Sequence, residues 1–387
     1  MAGAERALEP IDWSGLGTPG AATGTFSDVP RKRIVSLRPI TSRLAARVMR
    51  NSLVGSAERT VEIAPGASRT VDPPVMLPDE PDRISGFHVE SSPATNLAML
   101  TGHPIEQGPT KMHLLRDVLI ADGALLSARS YNRIAPGARR WMLRDDFDVF
   151  SESALCSTYL TNKYFGHWLR EGMSQELLAE DQGLPAIVAA DGAERVHEQA
   201  YREVLSLHAR KTTFAHCDRL WLLEDHEQNA HWLARYQRLR ASVRKYVKAP
   251  AKGTARVFLA RGDHARGRLL SNREEVRSEL RDRGWIILTP ETETVDVIAK
   301  TLSSARMVVS PEGSALAHAA ISIPRGAGIL TIIGAQHFNI PYKGLCDALG
   351  VRFGLTIADA TSVSDFHQPI DRLLRAIDLL DKAIDKN

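Results

Sequence analysis

Cysteine is scarce in this 387-residue chain. The three present, Cys156, Cys217 and Cys346, are odd in number, far apart and outside any C-x-x-C spacing. That excludes a disulfide framework and a thiolate zinc centre, and it points to a reducing compartment. Long apolar runs are also missing. No stretch approaches the roughly 18 residues of a membrane-spanning helix, and the opening MAGAERALEPIDWSGLG has neither the basic nor the apolar region of a secretory signal. A cytoplasmic protein is expected. Nor does one sign of charge dominate: 49 basic against 46 acidic residues leave +3, too little for a global field that would draw the chain to nucleic acid. With 43% hydrophobic and 25% charged residues the chain is an ordinary globular one. At about 150 residues per domain its length suggests two domains.

Residues 1–30 lack periodicity and read as a flexible leader. The segment 31–50 is basic without a single acidic residue, and Leu44, Val48 and Leu53 fall on a helical stripe. It reads either as a helix packed on its own domain or as peripheral contact with the anionic inner membrane face. Asp122-Gly123 between alternating apolar residues predicts a two-residue hairpin. Strand and helix patterns then alternate up to a basic helix ending at Tyr246, and KAPAKGT at 248–254 reads as a linker. Beyond it the alternation is cleaner, which predicts a doubly wound parallel sheet with ligands beyond the carboxyl ends of its strands. Ile370, Leu373, Leu374, Ile377 and Leu380 mark a closing helix. The expected division is a leader and basic segment over 1–55, an α/β domain over 56–250, a second over 255–365, and the closing helix over 366–387.

Three segments carry candidate chemistry. KYFGHWLREG at 163–172 places His167 and Glu171 one helical turn apart on a shared face, as a surface pair or as a proton-transfer pair. LARGDHARGRLLSNREEV at 259–276 offers Arg261, Arg266 and Arg268 after a strand, suited to a diphosphate; Asn272 with Glu275 also fits a helix cap. VVSPEGSALAHA at 308–319 is a strand, a turn at Gly313 and a helix, a geometry that lets backbone approach a phosphate. Asp146-Phe147-Asp148 and HEQNAH at 226–231 are formal metal patterns in unsuitable contexts, so no metal is expected.

Taken in order, the three segments resemble glycosyltransferase family 61. The resemblance implies a GT-B architecture, with two Rossmann-like α/β domains facing a cleft. It also implies inverting transfer from a nucleotide sugar, UDP-linked donors included, to a saccharide or lipid-linked saccharide of a surface polysaccharide or glycolipid, with no cofactor. Carried over, Glu171 is the base, its pKa raised by an apolar wall at Trp168, and His167 orients it or binds the acceptor. Arg261, Arg268, Asn272, Glu312, Gly313, Ser314 and His318 make up the donor side. Glu312, Ser314, His318, Arg273 and Thr331 depart from the family pattern, which leaves a non-catalytic nucleotide-sugar or glycan-binding protein of a polysaccharide assembly complex as the alternative.

Overall fold

The computed structural model describes residues 29–34, 36–49, 52–128, 130–135, 146–189, 195–262, 269–362 and 365–386. Residues 1–28 of the leader, and Arg266 and Arg268 of the basic cluster, lie outside them.

Among the described residues the fold is mixed α/β, with a nine-stranded and a six-stranded sheet. In the first sheet Arg210–Thr212, Ala186–Ala189, Asp146–Leu155 and Phe214–Glu224 run parallel. Antiparallel strands Thr110–Ala121, Ala124–Leu126 and Tyr131–Arg133 continue it. Arg31–Arg33 pairs antiparallel with Asp146–Leu155, and Arg59–Ala64 with Thr110–Ala121. The connections explain the change of direction. Helices Met173–Asp181 and Glu198–Leu205 lie in crossovers that return the chain parallel, whereas Asp122 and Gly123, at φ 46° and 76°, close the two-residue hairpin read from the sequence. Only the parallel part keeps the βα rhythm.

The second sheet runs Ile286–Leu288, Ala255–Leu259, Ala305–Pro311, Gly328–Gly334, Arg352–Ala360 and Phe366–His367. Its first five strands are parallel and the last is antiparallel. Ala305–Pro311 and Gly328–Gly334 are covered on both faces, hence their continuous apolar sequence. Because the chain visits the first five strands in the doubly wound order, the crevice between the carboxyl ends of Ala255–Leu259 and Ala305–Pro311 is the topological switch point.

Helices fill the space between the sheets. One buried apolar cluster takes Trp168, Leu169 and Tyr201 from before the 248–254 segment and Ile298, Leu316 and Ile321 from after it. The helix Ala230–Tyr246, capped by Asn229 on the Trp232 N–H at 2.9 Å, crosses this layer. Part of the stretch before Thr110 also packs on the second sheet. The Val75 N–H donates to the Phe353 carbonyl at 2.9 Å, and the buried Glu80 carboxylate accepts from Thr356 at 3.0 Å, the Ile357 N–H at 2.7 Å and Arg372 at 3.2 Å.

The helix Ile370–Asp385 closes the second sheet with the expected stripe: Leu373, Ile377 and Leu380 are buried, and Ile370 and Leu374 pack at the margin. Gly328 admits it, since a Cβ there would come within 2.6 Å of Ile384. Leu380→Ala is expected to destabilise by about 2–5 kcal/mol through the lost transfer energy and residual cavity. This should appear as a lower urea midpoint at unchanged slope; an unchanged midpoint would mean that the helix is not part of the cooperative core.

Candidate active site

The first half of the site grows from the end of strand Asp146–Leu155. Thr158 and Thr161 form a reciprocal capping box that starts the helix Tyr159–Lys163, and Tyr164 interrupts it in an extended conformation. One turn over Phe165–His167 follows, then a π-helical turn over Trp168–Gly172, then the helix Met173–Asp181. Wide turns of this kind recur at functional sites because the extra residue re-aims its neighbours. Gly166 brings the segment against the turn after Ala305–Pro311: a Cβ there would stand 2.9 Å from the Tyr342 hydroxyl and 3.1 Å from Ser314 Cα. In that turn Gly313 has φ 153°, open to glycine and strained for other residues.

Between these elements lies an open cleft of about 100 Å³. Tyr164, His167 and Arg170 line it from one side, Glu312, Gly313 and Ser314 from the turn, and Asn339, Pro341 and Tyr342 from the chain that follows strand Gly328–Gly334.

Glu171 sits behind His167. It is 6% exposed, with one carboxylate oxygen 2.9 Å from His167 Nδ1 and the other accepting from Arg170 at 2.6 Å. Arg170 is itself buried; it donates to the Pro341 carbonyl at 3.2 Å and stands 5.2 Å from the Tyr342 ring centre. Burial pushes the Glu171 carboxyl up, but the Arg170 charge and the His167 hydrogen bond outweigh it and hold the pKa at about 2. The raised pKa expected from the Trp168 wall is therefore overturned. Trp168 is buried as the sequence suggested, yet the Arg170 charge and the His167 hydrogen bond decide the balance. An ionised carboxylate only accepts, so Nδ1 carries the hydrogen toward Glu171, and neutral His167 keeps its lone pair on Nε2. The His167 side chain is 30% exposed.

A smaller pocket lies at the switch point. Arg261, Arg273 and Arg277 gather there beside Pro311, the residue before Glu312. Arg277 donates to Glu274 at 2.7 Å and to the Arg261 carbonyl at 3.2 Å, and its Nε is buried without a partner. Arg261, expected on the donor side, lines this pocket. Arg277 escaped the sequence reading, although it lies four residues from Arg273 on one helix face.

Two other residues expected on the donor side are hydrogen-bonded within the fold. Asn272 donates to Glu275 at 2.9 Å and to the Gln368 carbonyl at 2.9 Å and accepts from the Gln368 N–H at 3.1 Å, so it ties the helix Arg273–Asp282 to the chain before the closing helix. It sits between Leu270 and Arg273 of the switch-point pocket, and the helix-cap position holds, without a side-chain cap bond. His318, also expected on the donor side, does not line the cleft. It is buried, joined to the Tyr201 hydroxyl at 2.7 Å and stacked on Phe165 at 4.7 Å, and burial drives its pKa down to about 3. Asp148 holds Arg31 at 3.3 Å and Arg210 at 3.2 Å within the first sheet, and His226 pairs with Glu227 at 3.0 Å.

Residues 165–330 match the family model described as Glycosyltransferase 61. Over that stretch the chain resembles this family of glycosyltransferases. The match to this family of glycosyltransferases begins just before His167 and Glu171 and takes in the turn at 312–314 as well as the switch-point arginines. Asn339 and Tyr342, which complete the cleft, fall outside it. No curated protein matches the chain. Among solved structures, the flavodiiron protein from Giardia intestinalis is similar at 12% identity and a TM-score of 0.24, over 72% of this chain and 65% of that one. A likeness that weak carries no argument about the site.

Glu171→Gln should leave the Arg170 charge buried without its counterion and cost about 3–5 kcal/mol. The sign with pH follows from the depressed pKa. The stabilisation is complete above the ordinary carboxyl value of 4.5 and fades as pH falls from there to about 2. Urea midpoints measured from pH 7 down to about 3 should show wild type converging on the variant; equal midpoints at pH 7 would remove the ion pair from the account.

Proposed function

We propose that this protein transfers a sugar from a nucleotide-sugar donor to a saccharide hydroxyl with inversion, and that His167 is the base. The observation that carries the reading is the ionised Glu171 behind a cleft-lining imidazole. A carboxyl held at about 2 is a poor base near neutrality, but it fixes the tautomer of His167 and stabilises the imidazolium that proton uptake creates. Glu171, expected as the base, becomes a positioning residue. In the transfer the acceptor oxygen attacks the anomeric carbon, its proton passes to His167 Nε2, and the bond from that carbon to the diphosphate oxygen breaks. The nucleoside diphosphate departs with the bonding pair.

Arg261, Arg273 and Arg277, with Arg268 as read from sequence, suit the diphosphate because fixed guanidinium groups at a switch point neutralise the leaving charge. Glu312, a like charge to phosphate, suits sugar hydroxyls instead, while Gly313 and Ser314 border the same space. The acceptor enters past Tyr164, which lines the cleft. Free and lipid-linked saccharides of a surface polysaccharide or glycolipid fit that description, and UDP-sugars fit the donor side. The doubly wound second sheet is consistent with a GT-B arrangement, and no helix among the described residues is long and apolar enough to cross a membrane. Two departures that favoured a non-catalytic binding protein, His318 and Thr331, are buried rather than cleft-lining, which weakens that alternative.

His167→Gln should lower transfer by about a hundred- to ten-thousand-fold with donor affinity retained. In wild type, kcat/KM should show an acidic limb that the His167→Gln variant lacks. Radiolabelled sugar transfer and nucleotide titration calorimetry read these effects. Full transfer by the variant, or a profile flat down to pH 4, would return the search to the carboxylates.

A further inference from the structure

The helix Arg38–Met49 is turned the wrong way for a water-facing element. Its inner side is polar: Ser42 is buried with its hydroxyl on the Ser127 carbonyl, Arg38 donates to the Asp117 carbonyl at 2.7 Å, and Arg43 lies 4.8 Å from the centre of the Tyr131 ring. Its outer side is apolar. Leu37, just before the helix, and Ile40 and Leu44 follow at helical spacing and are 69%, 57% and 64% exposed. An amphipathic helix on a globular protein normally buries such a stripe. Leu53, which the sequence placed on the stripe, is instead buried in the core of the first sheet.

The charge around the stripe selects its partner. Arg47 is exposed on the helix and Lys32 on the strand Arg31–Arg33 that precedes it, Asp117 beside the helix is already paired with Arg38, and no acidic residue occurs between Val29 and Ala57. A second copy of the chain meeting this face would bring like charges together. We infer that the face formed by Leu37, Ile40 and Leu44, with Arg47 on the same helix and Lys32 on the strand before it, docks on an anionic lipid bilayer. The three apolar side chains enter the boundary between headgroups and acyl chains, while the cations meet lipid phosphates. The inference is independent of the role given to His167. If both hold, the membrane is where the enzyme meets a lipid-linked acceptor.

The full chain should float with vesicles of phosphatidylglycerol and phosphatidylcholine, remain behind with phosphatidylcholine alone, and release progressively with salt. The triple variant Leu37→Ser, Ile40→Ser, Leu44→Ser should reduce flotation by roughly tenfold or more, because three inserted side chains are lost. Its thermal midpoint should not change, since the replaced groups face solvent. Lys32→Ser with Arg47→Ser should weaken flotation mainly at low salt. Flotation that the triple variant leaves intact would overturn the inference. So would a wild type that ignores both vesicle types, or one whose sedimentation velocity reveals a dimer that the same substitutions dissociate, since a second copy would then cover the stripe.

Discussion

Every residue from Trp168 to Ala179 is buried, although the stretch contains Arg170, Glu171 and Glu176. A segment sandwiched between two sheets has no solvent face on which to place charge, so each ionisable group must find a partner within the protein. The two carboxylates meet this constraint differently. Glu171 lies between a guanidinium and an imidazole and stays ionised. Glu176, beside Arg202 but also near Glu198 and Glu180, is pushed up to about 7 by burial. Environment thus separates two chemically identical groups by position on one helix, and the ionised one stands behind the cleft.

The same sandwich sets the two halves of the site against each other. From the helix Ala230–Tyr246, Arg240 donates to the carbonyls of Ala320 and Ile323, and Arg244 donates to Ser322 at 2.8 Å. These are the last carbonyls of helix Leu316–Ser322, which have no partner within the helix itself, and guanidinium groups at a helix carboxyl end also complement its dipole. The turn at 312–314 begins the segment these arginines anchor. Its distance from His167 is therefore fixed by a helix from the first half of the chain as well as by the contact at Gly166.

Local rules made much of this legible in the sequence. The hairpin at Asp122-Gly123, the closing stripe through Leu380 and the rhythm of the second sheet each depend on neighbours a few residues away. So does the pairing of His167 with Glu171, one helical turn apart. What the sequence hid depends on distant chain. The glycine turn gave no sign that the His318 imidazole would be buried against Phe165 and Tyr201. The direction of the Glu171 shift rests on Arg170, adjacent in sequence, which a reading centred on the i,i+4 pair passed over. The binding of Glu80 to the second sheet joins residues nearly 300 positions apart, and nothing periodic announces it.

The π-helical turn at Trp168–Gly172 also bears on which changes of length the protein tolerates. Removing one residue there would let the segment relax into continuous α-helix, turning everything on one side by about 100° relative to the other. Either the imidazole would leave the cleft, or Leu177 and Leu178 would lose their places among the sheets and helices. Substitution within this stretch is limited by volume and charge in the ordinary way, but its residue count is not free to vary. Insertions and deletions among related chains should accordingly be found in the surface connections and spared between Phe165 and Ala179.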